Sequence, residues 1–200
     1  MNAHTGSTGR PRDPRIDADV LAATRELLLD VGWERLSMRG IAAHAGVGRA
    51  ALSRRWPSKA HLVLDALLGA VPDLAPFDGT DREGWIEWVI TGSAQLFSRA
   101  DVREALPGLL AALRDHDDLR AALWQGFSGP AAALFAAHGA GDDAEETRDL
   151  LDAKAILVLA SGAALFTSLV ATDDDTPALR ERIRELLLPV ADRSGDDDEK

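Results

Sequence analysis

The sequence predicts an all-α protein, and three observations carry that expectation. Apolar residues recur at helical spacing almost everywhere after Ile16, no run of β-branched and aromatic residues alternates at period two, and the breaks between periodic stretches fall at Gly, Pro and Asp. With 200 residues, 46% of them apolar, the chain is long enough for one or two domains with a substantial core. The absence of cysteine excludes a disulfide scaffold, thiolate catalysis, cysteine-ligated zinc and iron–sulfur clusters.

The first helix follows from Val20, Thr24, Leu27, Leu28 and Val31 on one face, with Asp17 and Asp19 near its start and Gly32 to stop it. Ser37 is suited to N-cap a short second helix that carries Ile41 and Ala42 and ends at Ala45 and Gly46. A third helix is expected over 48–56, where Pro57 breaks it, and Ser58 caps a leucine-rich fourth. Pro72, Pro76 and Gly79 punctuate the next stretch. Five more helices are predicted over 82–99, 102–114, 118–138, 143–171 and 176–192, about nine in all. The resulting division is a disordered basic arm (1–15), a helix-turn-helix module (16–61), a connecting helix and linker (62–80), a larger helical domain (81–192) and a disordered acidic tail (193–200).

Charge separates these parts. Residues 1–61 carry ten basic and six acidic side chains, net +4, whereas residues 62–200 carry 12 and 27, net −15, within a chain of net charge −11. A basic module suits a polyanion, and the acidic remainder would be repelled by one, so it must serve another purpose. The first 15 residues lack an apolar core segment and do not read as a secretory signal, so a cytoplasmic location is expected.

Three short helices, the second and third joined by Ala45, Gly46 and Val47, form the pattern of a helix-turn-helix reader of duplex DNA. Ile41, Val47, Leu52 and Trp56 have the spacing to pack inward, which leaves Arg49, Ala50, Ser53 and Arg54 to enter a major groove. Arginine can donate two hydrogen bonds to guanine, alanine can touch a thymine methyl, and serine can serve base edges or phosphate. Ser37 and Lys59, each near a helix N-terminus, are candidate phosphate clamps, and Arg39, Gly48, Ala51 and Arg55 complete the candidate DNA-binding set. Arg10, Pro11, Arg12 and Arg15 form a basic stretch that either reaches a minor groove or only solubilises the terminus.

These residues resemble the TetR family of bacterial transcriptional regulators. The resemblance runs from about Val20 to Leu68 and centres on IAAHAGVGRAALSRRWPSKAHL, residues 41–62. Three positions depart from the family pattern: Gly48 stands where Ser is usual, Ser53 where Tyr is usual, and Gly40 where an acidic residue is usual. Gly40 cannot complete a capping box with Ser37, and Ser53 lacks a tyrosine's reach to phosphate. The resemblance implies a homodimer that binds a palindromic operator, with half-sites about one helical turn apart, and a small-molecule effector whose binding releases the DNA. It also implies an effector cavity in the acidic domain. Trp88, Trp124 and Phe127 are candidates for its lining, with Gln125 and Ser128 as polar anchors, and Pro107 and Pro130 could bend its walls.

Residues 155–171 are uncharged, which raises the question of a membrane span. The run is at the short end for crossing hydrocarbon, contains Ser161, Gly162, Thr167 and Ser168, and continues a charged helix, so a buried helix is expected and no membrane partner. Its small residues let another helix approach closely, within the chain or across a subunit interface. Ala160, Gly162, Ala163 and, on the last helix, Leu187 are the interface candidates.

Other signals carry less. The G-x-G-x-x-A pattern at Gly46 to Ala51 lacks a preceding strand, and Gly126-Phe127-Ser128-Gly129 is not a nucleophile elbow. His4, His44, His61, His116 and His138 occur singly, so no metal and no cofactor is expected, and no enzyme. The alternatives left open are a sequence-specific DNA-binding protein without an effector and, further off, a soluble helical enzyme.

Overall fold

A computed structural model describes residues 14–69, 80–137 and 142–190. Among them are ten α-helices and no strand. The proposed arm up to residue 13, most of the linker, His4, His138 and the tail lie outside the described residues.

Helix α1 (Pro14–Arg35) starts two residues before Ile16. It buries Val20, Thr24 and Leu28, with the Thr24 hydroxyl donating to the Val20 carbonyl at 2.8 Å. The stop expected at Gly32 is a break inside the element: Gly32 takes φ +74°, and one further turn follows it. Helix α2 (Met38–His44) opens on Ser37, whose Oγ accepts from the Gly40 N–H at 3.1 Å. That is half a capping box, since Gly40 has no side chain to return the bond. Gly46, at φ +66°, turns the chain into α3 (Arg49–Arg55). Helix α4 (Lys59–Leu68) is capped by Ser58 and buries its leucines, so residue 61, set as a module boundary from sequence, falls inside a continuous helix.

Helices α5 (Arg82–Ser98) and α6 (Ala100–Asp115) follow, and α6 carries Pro107 internally. The helix predicted over 118–138 is a single helical path made of α7 (Asp117–Leu123), a π turn (Trp124–Ser128) and α8 (Gly129–Ala137). The wider turn closes with the Gly129 N–H donating to the Trp124 carbonyl, just ahead of Pro130, which has no N–H to give. Counted as one, it brings the total among the described residues to nine helices, as expected. Helix α9 (Asp143–Leu169) is capped by Asp142, and α10 (Pro177–Leu187) by Thr176.

Two hydrophobic cores result. The first joins α1–α4 to α6 and α7 through Val20, Ile41, Leu52, Leu62, Val102 and Leu119. The second joins α5, α8, α9 and α10 through Trp85, Val89, Phe135, Ala153, Ile156 and Leu187. The Trp85 and Phe135 rings meet in its centre with centroids 4.9 Å apart and planes inclined at 59°, and the Trp85 indole donates to the Ala131 carbonyl. Beside them the buried Arg82 guanidinium pairs with Asp149 and lies over the Phe135 ring.

Helix α9 is long and apolar enough to cross a membrane by length and composition alone. It is not the wholly buried helix expected from sequence. One side packs on α5 and α8 through Ala153, Ile156, Leu157 and Ala160, while the other exposes Leu151, Val158, Leu159 and Phe166 at 65, 67, 58 and 57%.

Candidate nucleic-acid interface and ligand cleft

The inward set of the helix-turn-helix is buried: Ile41, Leu52 and Trp56 lie in the first core and Val47 packs on its edge. The Trp56 indole donates to Asp65 Oδ2 at 2.8 Å, which fastens the end of α3 to α4. With Leu52 turned in, α3 presents Arg49, Ala50, Ser53 and Arg54 outward, all exposed, together with Gly48 at its N-cap, Ser37, and Arg39 on α2. Ala51 is half-buried at the margin of this face.

Two members of the candidate set belong elsewhere. Arg55 turns to α1, where its Nη1 meets Asp17 Oδ1 at 2.6 Å in a largely buried ion pair. The Lys59 ammonium donates to the Trp33 carbonyl at 2.8 Å and lies 4.4 Å from the centre of the Trp33 ring. Burial lowers its pKa from the ordinary value, with Glu34 pulling the other way. Both cations are committed to α1 and hold the module together rather than facing outward.

A cleft of about 490 Å³ opens between the two cores. Trp88 from α5 and Trp124, Phe127 and Ser128 from the π turn line it, as do Leu67 and Leu68 at the end of α4. Gln125 is exposed on the far side of the π turn and does not line it. Sequence reading missed Ser93 and Ser161, whose hydroxyls meet across the cleft at 3.3 Å, and Arg99. The signal available for the two serines was their position inside apolar helices with no cap to make. Arg99 donates through Nε and Nη2 to the two oxygens of Asp101, at 3.1 and 2.6 Å, and through Nη1 to the Leu67 carbonyl at 2.8 Å.

Among the described residues no group of histidines and carboxylates could hold a metal ion. His44 meets Glu26, and His61 lies between Ser58 and Asp118. The glycine pattern at Gly46 follows a helix, and Ser128 lies in the π turn, so neither has the strand its enzymatic reading requires.

Residues 20–66 match the family model for bacterial regulatory proteins, tetR family. The N-terminal domain belongs to the TetR family. An HTH-type transcriptional regulator of Mycobacterium tuberculosis is 38% identical over 79 residues, 38% of this chain and 39% of the relative. The alignment thus spans about two-fifths of that relative's length. NalD, the secondary repressor of the MexAB-OprM multidrug efflux pump in Pseudomonas aeruginosa, is similar over 88% of this chain and 96% of its own, with a TM-score of 0.55 at 20% identity. GusR of Salmonella enterica gives a TM-score of 0.60 at 17% identity over 91% of this chain and 98% of its own. At these identities the likeness is one of fold.

The TetR-family domain shares the first core with α6 and α7, and further contacts fasten it at both ends. Trp33, at the end of α1, lies on the backbone of α6 so closely that a Cβ added to Gly108 would stand 2.0 Å from the indole. The Trp33 N–H also meets Glu104 Oε1 at 3.3 Å. At the other end, the last carbonyls of α4 accept from Arg25 of α1 (Ala66, 2.8 Å) and from Arg99 of the cleft wall (Leu67, 2.8 Å).

Of the interface candidates, only Gly162 is exposed. Ala160 and Leu187 are buried in the second core, at 3 and 6%, so neither presents a free surface, and Ala163 is half-buried beside Leu179 and Ile183 of α10. The outward face of α9 runs instead through Leu151, Ala155, Val158, Gly162, Phe166 and Leu169, at steps of four, three, four, four and three residues.

Proposed function

We propose that the protein is a transcriptional regulator that binds a palindromic DNA operator as a homodimer, acts as a repressor, and is released by a small-molecule effector in the cleft. The observation that carries this reading is the exposed face of α3, with two arginines and two small residues, on a TetR-family domain. In this reading Arg49 and Arg54 supply base-edge or phosphate contacts, Ala50 and Ser53 allow close approach to the groove, and Ser37 and Arg39 meet the backbone of the duplex. NalD's role as a repressor supports the sign of the response.

Two copies of the α9 outer face would pack about a twofold axis. Ala155 and Gly162 allow close approach, and Leu151, Val158, Phe166 and Leu169 supply the apolar area. The same symmetry imposes a palindrome on the operator. The effector would act through the walls of the cleft. Leu67 and Leu68 end α4, and Arg99 holds the Leu67 carbonyl, so a ligand that resets these contacts shifts α4 and the module packed on it. No chemical step is involved.

The test is selection of duplex DNA from a random library by the purified protein at two salt concentrations, followed by sequencing. An enriched palindrome that persists at the higher salt is the expected result. If nothing is enriched and binding vanishes as salt rises, the α3 face is an electrostatic patch and the regulator reading fails. The selected operator then serves to screen effectors by release.

A further inference from the structure

We propose that the cleft takes an uncharged, flat molecule of several fused rings that carries a hydroxyl or carbonyl group, received by the facing hydroxyls of Ser93 and Ser161. This rests on the reading of the cleft as the effector site and adds the chemical class of the effector.

The ring system follows from the walls. Trp88, Trp124 and Phe127 come from two separate elements and offer aromatic surface to one space of about 490 Å³, between aliphatic walls that include Leu67, Leu96 and Leu157. Aromatic side chains pack best against other flat π surfaces, by offset stacking or edge to face. A space of this size holds a drug-sized molecule.

The absence of charge follows from Arg99, the one formally charged group in the lining among the described residues. Three of its five N–H donors already go to the two oxygens of Asp101 and to the Leu67 carbonyl, and the Asp101 carboxylate balances its charge. An anion entering the cleft would lose its water and find no cation whose charge is not already balanced by a carboxylate, which is costly. A cation aimed at the Trp124 ring would meet the Lys154 ammonium, which already lies 5.9 Å from the ring centre. The polar handle follows from Ser93 and Ser161. At 3.3 Å their hydroxyl contact is long for an O–H···O bond, and a ligand oxygen can replace it by bonding to both.

The experiment uses the full chain and four fluorescent probes of one ring system: 1-pyrenylmethanol, pyrene, pyrene-1-carboxylate and 1-pyrenylmethylammonium. Binding is read by energy transfer from the tryptophans. The expected result is that the methanol binds at least tenfold more tightly than either charged probe. Ser161→Ala should weaken the methanol about fivefold, the loss of one hydrogen bond, and leave pyrene unchanged. Equal or tighter binding of a charged probe, or a Ser161→Ala variant that treats methanol and pyrene alike, overturns the proposed class while leaving the cleft as a ligand site. If no probe binds, both the class and the cleft's assignment fall, and the DNA selection still decides the regulator reading separately.

Discussion

Gly162→Leu separates the two roles open to the outer face of α9, because the variant acts in opposite directions on the monomer and on the dimer. Within one chain a Cβ at Gly162 meets nothing within 4 Å, and the position is exposed, so the first atom of the added side chain enters open space. Replacing glycine in a helix interior should then stabilise the monomer by about 0.5–1 kcal/mol. Across a twofold interface the glycine sits in the middle of the apolar face and its substitution occurs twice. Overpacking costs about 1–3 kcal/mol per site, so the dimer should lose about 2–6 kcal/mol, about thirtyfold to about twenty-thousandfold in dissociation constant. Sedimentation equilibrium over a concentration series measures that constant, and thermal unfolding at a concentration where the variant is monomeric measures the other effect. A raised melting temperature with an unchanged dimerisation constant would refute the interface. Phe166→Ser provides an independent check, since this ring is 57% exposed in the monomer and should matter only to the dimer.

Gly108→Ala should destabilise the protein by about 1–2 kcal/mol net, overpacking against the rigid Trp33 indole outweighing the helix gain, and calorimetry would show a lower melting temperature. Gly46→Ala has open space for its Cβ, so its cost is the left-handed backbone alone, about 1–2 kcal/mol, or a drop of about 2–8 °C for a chain of this size. Arg54→Ala should reduce discrimination between operator variants by about 1–3 kcal/mol if the side chain reads a base, whereas a phosphate contact would lower affinity for all duplexes and reduce the salt slope by about one. Binding curves on matched and mismatched duplexes at several salt concentrations separate these outcomes, and no change in either would remove Arg54 from the interface.

The sequence made the caps and turns legible because they are local. Ser37 and Ser58 accept from N–H groups three residues on, and Gly46 takes the positive φ that the turn demands. Misplacements arose where a partner from a distant element decides the outcome. Arg55 is one residue beyond Arg54 and equally basic, yet a turn of about 100° aims it at Asp17 of α1. Lys59 is held by the Trp33 carbonyl, which no local pattern announces. On α9 the buried series Ala153, Ile156, Leu157 and Ala160 has clear helical spacing, but the opposite side is apolar too, so the period alone does not say which side meets the core. The interface set therefore mixed the buried Ala160 with the exposed Gly162, although two positions apart on a helix they point nearly opposite ways. The cleft was partly legible, since Trp124, Phe127 and the nearby Pro130 marked the segment that forms the π turn, whereas Pro107 lies inside α6. Its serines were not, because their use depends on α5 and α9 lying side by side.

In the proposed regulator, the position of the cleft would make coupling between effector and DNA a thermodynamic matter. Leu67, Leu68, Leu96, Phe97 and Leu123 belong to the first core or its edge, and Trp88, Val89 and Leu157 to the second, so a molecule in the cleft touches both cores. A ligand inside one core would stabilise that core in any arrangement, but a ligand at the seam prefers one placement of the cores over another. Only such differential binding moves an equilibrium. Couplings of this kind are about 1–3 kcal/mol, which corresponds to about five- to 150-fold in operator affinity. The coupling is reciprocal, so saturating the protein with its selected operator must weaken the cleft's affinity for the effector by the same factor. Titrating the effector into free and DNA-bound protein measures both sides of that cycle. An effector that binds both forms equally, while occupying the cleft, would refute the seam as the route between ligand and DNA.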